Sequence, residues 1–200
     1  MPPSKLSNIM KTYSKIRRPG GFTLIELLVV ITIVAVLAAM SFAGVNIAIK
    51  RARTTEGNVA ASAIHSAVNN FYSEYSRLPE VQGEVKTDSG TGVDLLRILL
   101  ADEGDGSDIE NSRKIPFLNT KEGTGKRGGL YYGSNGNTVQ GMYDPFGQPY
   151  TIVLNTDYED VLRFSKGGKQ FELRGEQVAV FSPGADQELG TKDDIASFAD

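Results

Sequence analysis

At 200 residues, 40% of them apolar, and with a net charge of −3, the chain has room for one ordinary domain plus attachments. It lacks cysteine, which excludes a disulfide framework, a thiolate metal site and a cysteine nucleophile. The single histidine, His65, argues against a catalytic triad or a histidine-based zinc site.

Residues 1–21 form a basic leader. Lys5, Lys11, Lys15, Arg17 and Arg18 carry its charge with no acid among them, so removing it takes the net charge from −3 to −8. From Leu27 to Val45 no residue is charged. A helix of that length rises roughly 28 Å, close to the ~30 Å hydrocarbon thickness of a bilayer, so the run reads as membrane-spanning. A basic flank stays on the cytoplasmic side and orients the rest outward; Lys50, Arg51 and Arg53 weaken that bias without reversing it. An ordinary secretory signal places its cleavage site after the apolar segment. Here Gly20 and Gly21 precede it, so cutting there leaves the membrane helix on the mature chain. One acid, Glu26, sits inside the spanning segment, at a cost of about 2.5–3.5 kcal/mol at the bilayer centre and less near an interface.

The stretch "GFTLIELLVV", Gly21 to Val30, resembles the type IV pilin and type II secretion pseudopilin families. The resemblance implies cleavage after Gly21 by a membrane-embedded prepilin peptidase, N-methylation of Phe22, and Glu26 as the hallmark acid five residues into the mature chain. A carboxylate in a spanning segment needs a partner, and the freed Phe22 amine of an adjoining subunit supplies one, which sets axial register during assembly. The alternative is a carboxylate near the boundary that snorkels to the headgroups.

No proline interrupts the chain between Pro19 and Pro79. Ala60, Ile64, Ala67, Val68, Phe71 and Tyr75 recur at the spacing of one apolar helical stripe. The pattern predicts one helix over about residues 23–77, on the order of 80 Å long, divided into a membrane and assembly half, 22–46, and an amphipathic half, 47–78. Gly44 and Gly57 are its weak points, at ~1 kcal/mol each relative to alanine. Many fibre-forming pilins have proline where this chain has Ala43, which puts any local melting on assembly at Gly44.

The head is expected over 79–200. "VDLLRILLAD" predicts a short amphipathic helix with Val93, Leu96, Leu99 and Leu100 on one side, and "EGDGSDIENSRK" reads as a solvated acidic loop, because Gly104 and Gly106 occupy ligand positions of an EF-hand pattern. Gly123, Gly125 and Gly128 have dinucleotide-loop spacing, yet "LYYGSNGNTVQG" follows, where Asn135-Gly136 marks a hairpin turn instead of a helix start. Four strands follow, "YTIVLN", "VLRFS", "KQFELR" and "QVAVFS", with a turn at Gly167-Gly168. The fold class is therefore α+β, pilin-like: a long N-terminal helix packed on a small antiparallel sheet. "YDPFGQPY" reads as a rigid turn and also resembles the Asp-Pro-aromatic-Gly-x-Pro-Tyr segment of the major pseudopilin.

The segment 182–198, "SPGADQELGTKDDIASF", gathers Asp186, Glu188, Asp193 and Asp194 around Gly184 and Gly190. Hard oxygen ligands on a turning loop suit calcium, which takes six to eight oxygens at about 2.3–2.6 Å; composition alone favours a solvated acidic tail. Major pseudopilins end in a similar loop that binds calcium. That likeness implies side-chain ligands Asp186, Asp193 and Asp194 and backbone carbonyls at Pro183 and Thr191, with Phe198 where tryptophan is common.

The resemblance implies a non-enzymatic subunit of a type II secretion pseudopilus, with calcium as a structural ion. Its expected partners are further copies of itself, prepilin peptidase, an inner-membrane assembly platform and minor pseudopilins. The expected location is the inner membrane, single-pass, with the N-terminus cytoplasmic and the head periplasmic. A type IV pilus subunit for adhesion, motility or DNA uptake is the alternative. A charge of −8 offers no general basic surface for nucleic acid, although Lys121, Lys126 and Arg127 form a local patch. An anchored enzyme is the third reading, and no nucleophile motif supports it.

Overall fold

A computed structural model of the protein describes residues 20–81, 83–105, 109–133 and 136–199, and the side chains among them apart from 41–44. The leader up to Pro19, Gly106 of the acidic loop and Asn135 of the expected turn lie outside these residues. The first element is the 52-residue helix α1, Leu24–Tyr75, within two residues of the expected span at either end. Its last turn closes where Ser76 enters the left-handed region at φ 54° and donates its N–H to the Tyr72 carbonyl, 2.8 Å away. A single left-handed residue of this kind satisfies an orphaned end carbonyl, and Pro79 keeps the chain from resuming the helix.

The chain divides into two compact units, Met1–Gly44 and Val45–Asp200. In the first, the described apolar side chains from Phe22 to Met40 are exposed, and the helix is long and apolar enough to cross a membrane. In the second, Ala61, Ile64, Ala67, Val68 and Phe71 are completely buried. Ala61 belongs to the stripe although the sequence pattern passes over it, and Ala60 and Tyr75 lie on its margins, half-buried.

Helix α2, Gly90–Leu100, starts at Ser89, whose side chain accepts the Gly92 N–H, and ends at Ala101 in the left-handed region. It buries Leu95, Leu96, Ile98 and Leu99, whereas Val93 and Leu100, expected on the buried side, pack at its edge. The strands are β1 (Glu84–Lys86), β2 (Gly129–Tyr132), β3 (Val139–Tyr143), β4 (Thr151–Leu154), β5 (Val161–Lys166), β6 (Lys169–Arg174), β7 (Val178–Ser182) and β8 (Ile195–Ala196). All pairings between strands are antiparallel.

The single small sheet expected from the sequence is instead a four-stranded sheet, β1-β4-β7-β8, accompanied by two separate hairpins, β2-β3 and β5-β6. The cause is visible in β4 and β7. Ile152, Leu154, Val178 and Val180 face the main core with α1 and α2, while Val153, Ala179 and Phe181 face a second cluster formed with Leu162 and Phe164 of β5. Successive side chains on a strand point to opposite faces. The sheet is thus covered on both sides, the hairpin β5-β6 lying across one face instead of extending an edge, and "TIVL" and "VAVF" are continuously buried for that reason.

The acidic loop is more structured than a solvated loop. Both Glu103 oxygens accept main-chain N–H groups, from Glu110 and Asn111 at 2.8 Å each. Asn111 is buried and donates to the Ile98 and Ile115 carbonyls while accepting from the Tyr75 hydroxyl. The loop is bonded in this way to the last turns of α1 and α2; Asp105 remains fully exposed beside Lys114. The glycine-rich loop before β2 leads into a strand, so the dinucleotide geometry is absent there. His65 bonds Glu176 at 3.0 Å, a structural contact.

Candidate functional site

At the start of α1, Gly20, Gly21 and Phe22 are exposed and outside the helix, so the bond between Gly21 and Phe22 lies in open backbone. Thr23 is the N-cap. Its main-chain N–H and its hydroxyl both donate to Glu26 Oε2, at 2.8 and 2.7 Å, and its hydroxyl oxygen accepts the Glu26 N–H at 3.3 Å. This reciprocal arrangement is a capping box, which satisfies two of the four orphan donors at a helix start. The signal was in the sequence: Thr23-Leu24-Ile25-Glu26 is S/T-x-x-E before an apolar run. Glu26 therefore has an intrachain role as well as any role between subunits. Its Oε1 has no partner among the described residues.

The "YDPFGQPY" segment forms a tight turn between β3 and β4. Asp144 Oδ1 accepts the N–H groups of Phe146 and Gln148 at 2.8 and 2.9 Å, and Oδ2 accepts the Ser182 hydroxyl at 2.8 Å. Burial pushes the Asp144 carboxyl up, and hydrogen bonds from Gln148, Ser182, Phe146 and Gly147 offset part of that rise. Gly147 turns at φ 93°, a conformation that suits glycine. Tyr150 then lies fully buried, its hydroxyl 3.2 Å from the Gly57 carbonyl of α1. Asn58 accepts the Ala196 N–H at 3.2 Å. A Cβ on Gly57 would meet Ile195 Cδ1 at 2.3 Å, so the glycine read as a helix weak point is the notch that admits β8.

The C-terminal loop brings the expected ligand residues into one turn-rich segment, but not around one point. Asp186 Oδ1 accepts the Glu188 N–H at 2.9 Å. Asp193 Oδ2 accepts from Ala185 and Asp186 main-chain N–H groups at 3.1 Å each and lies 3.3 Å from Lys50 Nζ, and Asp193 Oδ1 accepts the Thr191 hydroxyl at 2.9 Å. Partial burial pushes the Asp193 carboxyl up, but bonds from Thr191, Asp186 and Lys50 outweigh it and hold the carboxyl at about 2. Asp194 Oδ2 accepts the Gly190 N–H at 2.8 Å and lies 3.3 Å from Lys166 Nζ. Among the described residues no group of three or more acidic or histidine side chains is disposed to hold a metal. As arranged, Asp193 Oδ2 and Asp194 Oδ2 each face main-chain N–H groups and an ammonium ion, while Asp186 accepts an N–H group through Oδ1. Glu188, which the resemblance leaves out, is exposed.

The basic patch is partly neutralised. Lys121 lies 2.5 Å from Glu56, and Lys126 sits over the Tyr131 and Tyr143 rings at 5.8 and 5.5 Å.

Residues 16–42 match the family described as the prokaryotic N-terminal methylation motif, a signature of type IV pilins and pseudopilins. Over 60 residues the chain is 40% identical to the type IV major pilin protein PilE1 of Neisseria gonorrhoeae, covering 30% of this chain and 36% of that protein. The chain thus spans about a third of the curated relative's length. No solved structure matches.

Proposed function

We propose that this pilin-like chain is a subunit of a type II secretion pseudopilus. It is cut between Gly21 and Phe22 by prepilin peptidase, methylated at Phe22, and held in the inner membrane with its head in the periplasm. An assembly platform and minor pseudopilins start a helical filament that aids protein export, and the subunit itself catalyses nothing. Heterologous head-to-tail contacts do not close, so they grow a fibre.

The observation that carries the filament role is Glu26 on an exposed apolar helix. The capping box uses only Oε2, which leaves Oε1 of this exposed side chain without a partner among the described residues. An ammonium at Phe22 of a neighbouring subunit offsets the cost of that charge in lipid and fixes the stagger between helices. Glutamine also serves at the third position of a capping box, so Glu26→Gln keeps the cap and removes the charge. Glu26→Ala and Glu26→Gln should both insert and be processed, and neither should yield sheared filaments; wild-type assembly by Glu26→Gln would reduce the residue to a helix cap. Mass spectrometry of the mature protein should find a methylated phenylalanine at Phe22.

The absence of cysteine and the Asp144–Tyr150 turn support the secretion branch. The likeness to a type IV major pilin favours the second reading, a surface pilus subunit. A deletion strain separates them. Lost export of extracellular enzymes with normal surface pili supports the first, and lost pili, motility or DNA uptake with normal export supports the second.

A further inference from the structure

We propose that the ammonium of Lys166, and not a divalent cation, is the charge that holds the C-terminal acidic loop on the head. This inference does not depend on which filament the subunit builds.

Strand β5 alternates inward and outward, and Leu162, Phe164 and Lys166 are its buried positions. A lysine therefore stands where the period of two calls for an apolar side chain. Its side chain is 1% exposed and that of Asp194 is 2% exposed, with 3.3 Å between Nζ and Oδ2. The rings of Phe171 and Phe198 lie 5.0 and 5.5 Å from Nζ, within the range of cation–π attraction. Phe198 itself follows Asp194 by four residues, so the loop supplies both the counter-charge and one wall of the ammonium's surroundings.

The backbone is shaped for this approach. Gly167, at φ 57°, turns the β5-β6 hairpin so tightly against the loop that a Cβ there would lie 2.4 Å from the Leu189 carbonyl oxygen. Gly184, at φ 67°, lies under Asp193 in the same way, with a Cβ only 2.0 Å from its carbonyl oxygen.

Lys50 stands 3.3 Å from Asp193, the carboxylate next in sequence to Asp194, and is more exposed than Lys166. Two ammonium groups and several N–H donors thus address the carboxylates from which a calcium cage would be built. A divalent ion among these oxygens would meet two like charges at close range. A buried ammonium also has its own requirement: removing its partner strands a charge away from water.

The test is thermal unfolding of the full chain in detergent micelles, with millimolar calcium or with EDTA. The melting temperature of the wild type should be the same in both. Lys166→Met and Asp194→Asn should each lower it, and the double variant should lose less than the two single losses summed, since the partners are removed together. A wild-type melting temperature that rises with calcium and falls with EDTA overturns the proposal, as does a Lys166→Met variant that melts like the wild type. If either single variant fails to fold, the wild-type comparison decides alone, because it needs no substitution.

Discussion

Between Leu24 and Met40, helix α1 keeps its apolar side chains in the open, with Leu24 at 85% and Met40 at 71% exposure, whereas between Ala61 and Phe71 the same helix hides Ala61, Ile64, Ala67, Val68 and Phe71 entirely. Apart from Glu26 and Thr32 the first stretch is apolar all round, and the second is apolar along one stripe with polar residues beside it. A helix apolar on every side needs lipid or other helices as its surroundings, while a striped one needs a single packed layer. One continuous helix therefore presents two kinds of surface, and the distribution of charge along it tells where each begins.

The sharpest way to break that comparison is to remove side-chain volume from each half. Phe71 packs against Tyr75 and Phe117 with ring centroids 4.6 and 5.5 Å away. Phe71→Ala should destabilise the head by about 3–5 kcal/mol, the range for buried phenylalanine truncations. Val30→Ala, on the exposed half, should change head unfolding by less than about 0.5 kcal/mol, as surface substitutions do. Comparable losses in chemical denaturation of the two variants would refute the division.

Gly57 sharpens the comparison within the second half. Alanine is the better helix former by ~1 kcal/mol, yet its Cβ would press on Ile195. Gly57→Ala should lower stability by about 1–3 kcal/mol, the usual cost of overpacking; a gain in melting temperature would show that the notch is not needed. Ser89→Ala, which removes the α2 cap, should cost ~1 kcal/mol in the same assay.

The smallest effect is a slope. Burial raises the Asp144 carboxyl above its ordinary 3.8, so the folded state holds that proton more tightly than the unfolded chain. Its favourable contribution is complete below the unfolded value and disappears as pH rises through the folded one. Asparagine at 144 can accept from Phe146 and Gln148 without carrying charge. The melting temperature of Asp144→Asn minus that of the wild type should therefore increase as pH rises from about 4 towards neutrality. A difference independent of pH would mean that the buried charge costs nothing.

Both halves of α1 were legible because helical periodicity and the absence of charge are local patterns. So were β4 to β7, whose apolar or alternating runs are bounded by turn residues. The two-faced burial of β4 and β7 was harder to see, since a continuous apolar run does not say what covers each side. The short strands β1 and β8 carry almost no local signal and exist through pairing with β4 and β7. At the candidate sites, Gly21, Phe22 and Glu26 stood out through their order in the chain, and the capping box was readable from Thr23 onward. The Lys166–Asp194 pair was not. Its partners are 28 residues apart and meet only through tertiary folding, although an inward lysine on a striped strand was its trace in the sequence.

The notch at Gly57 also bears on the order in which the head is made. Asn58 and Ala196 are 138 residues apart and joined by a hydrogen bond, and Ile195 fills the space that Gly57 leaves. Contacts of such long separation slow folding, because the intervening chain must be gathered first. A nascent chain halted anywhere before residue 195 has its long helix but not the side chain that closes over it. Synthesis must therefore run nearly to completion before the head can lock, and until then the groove beside Gly57 is open to whatever meets the emerging polypeptide.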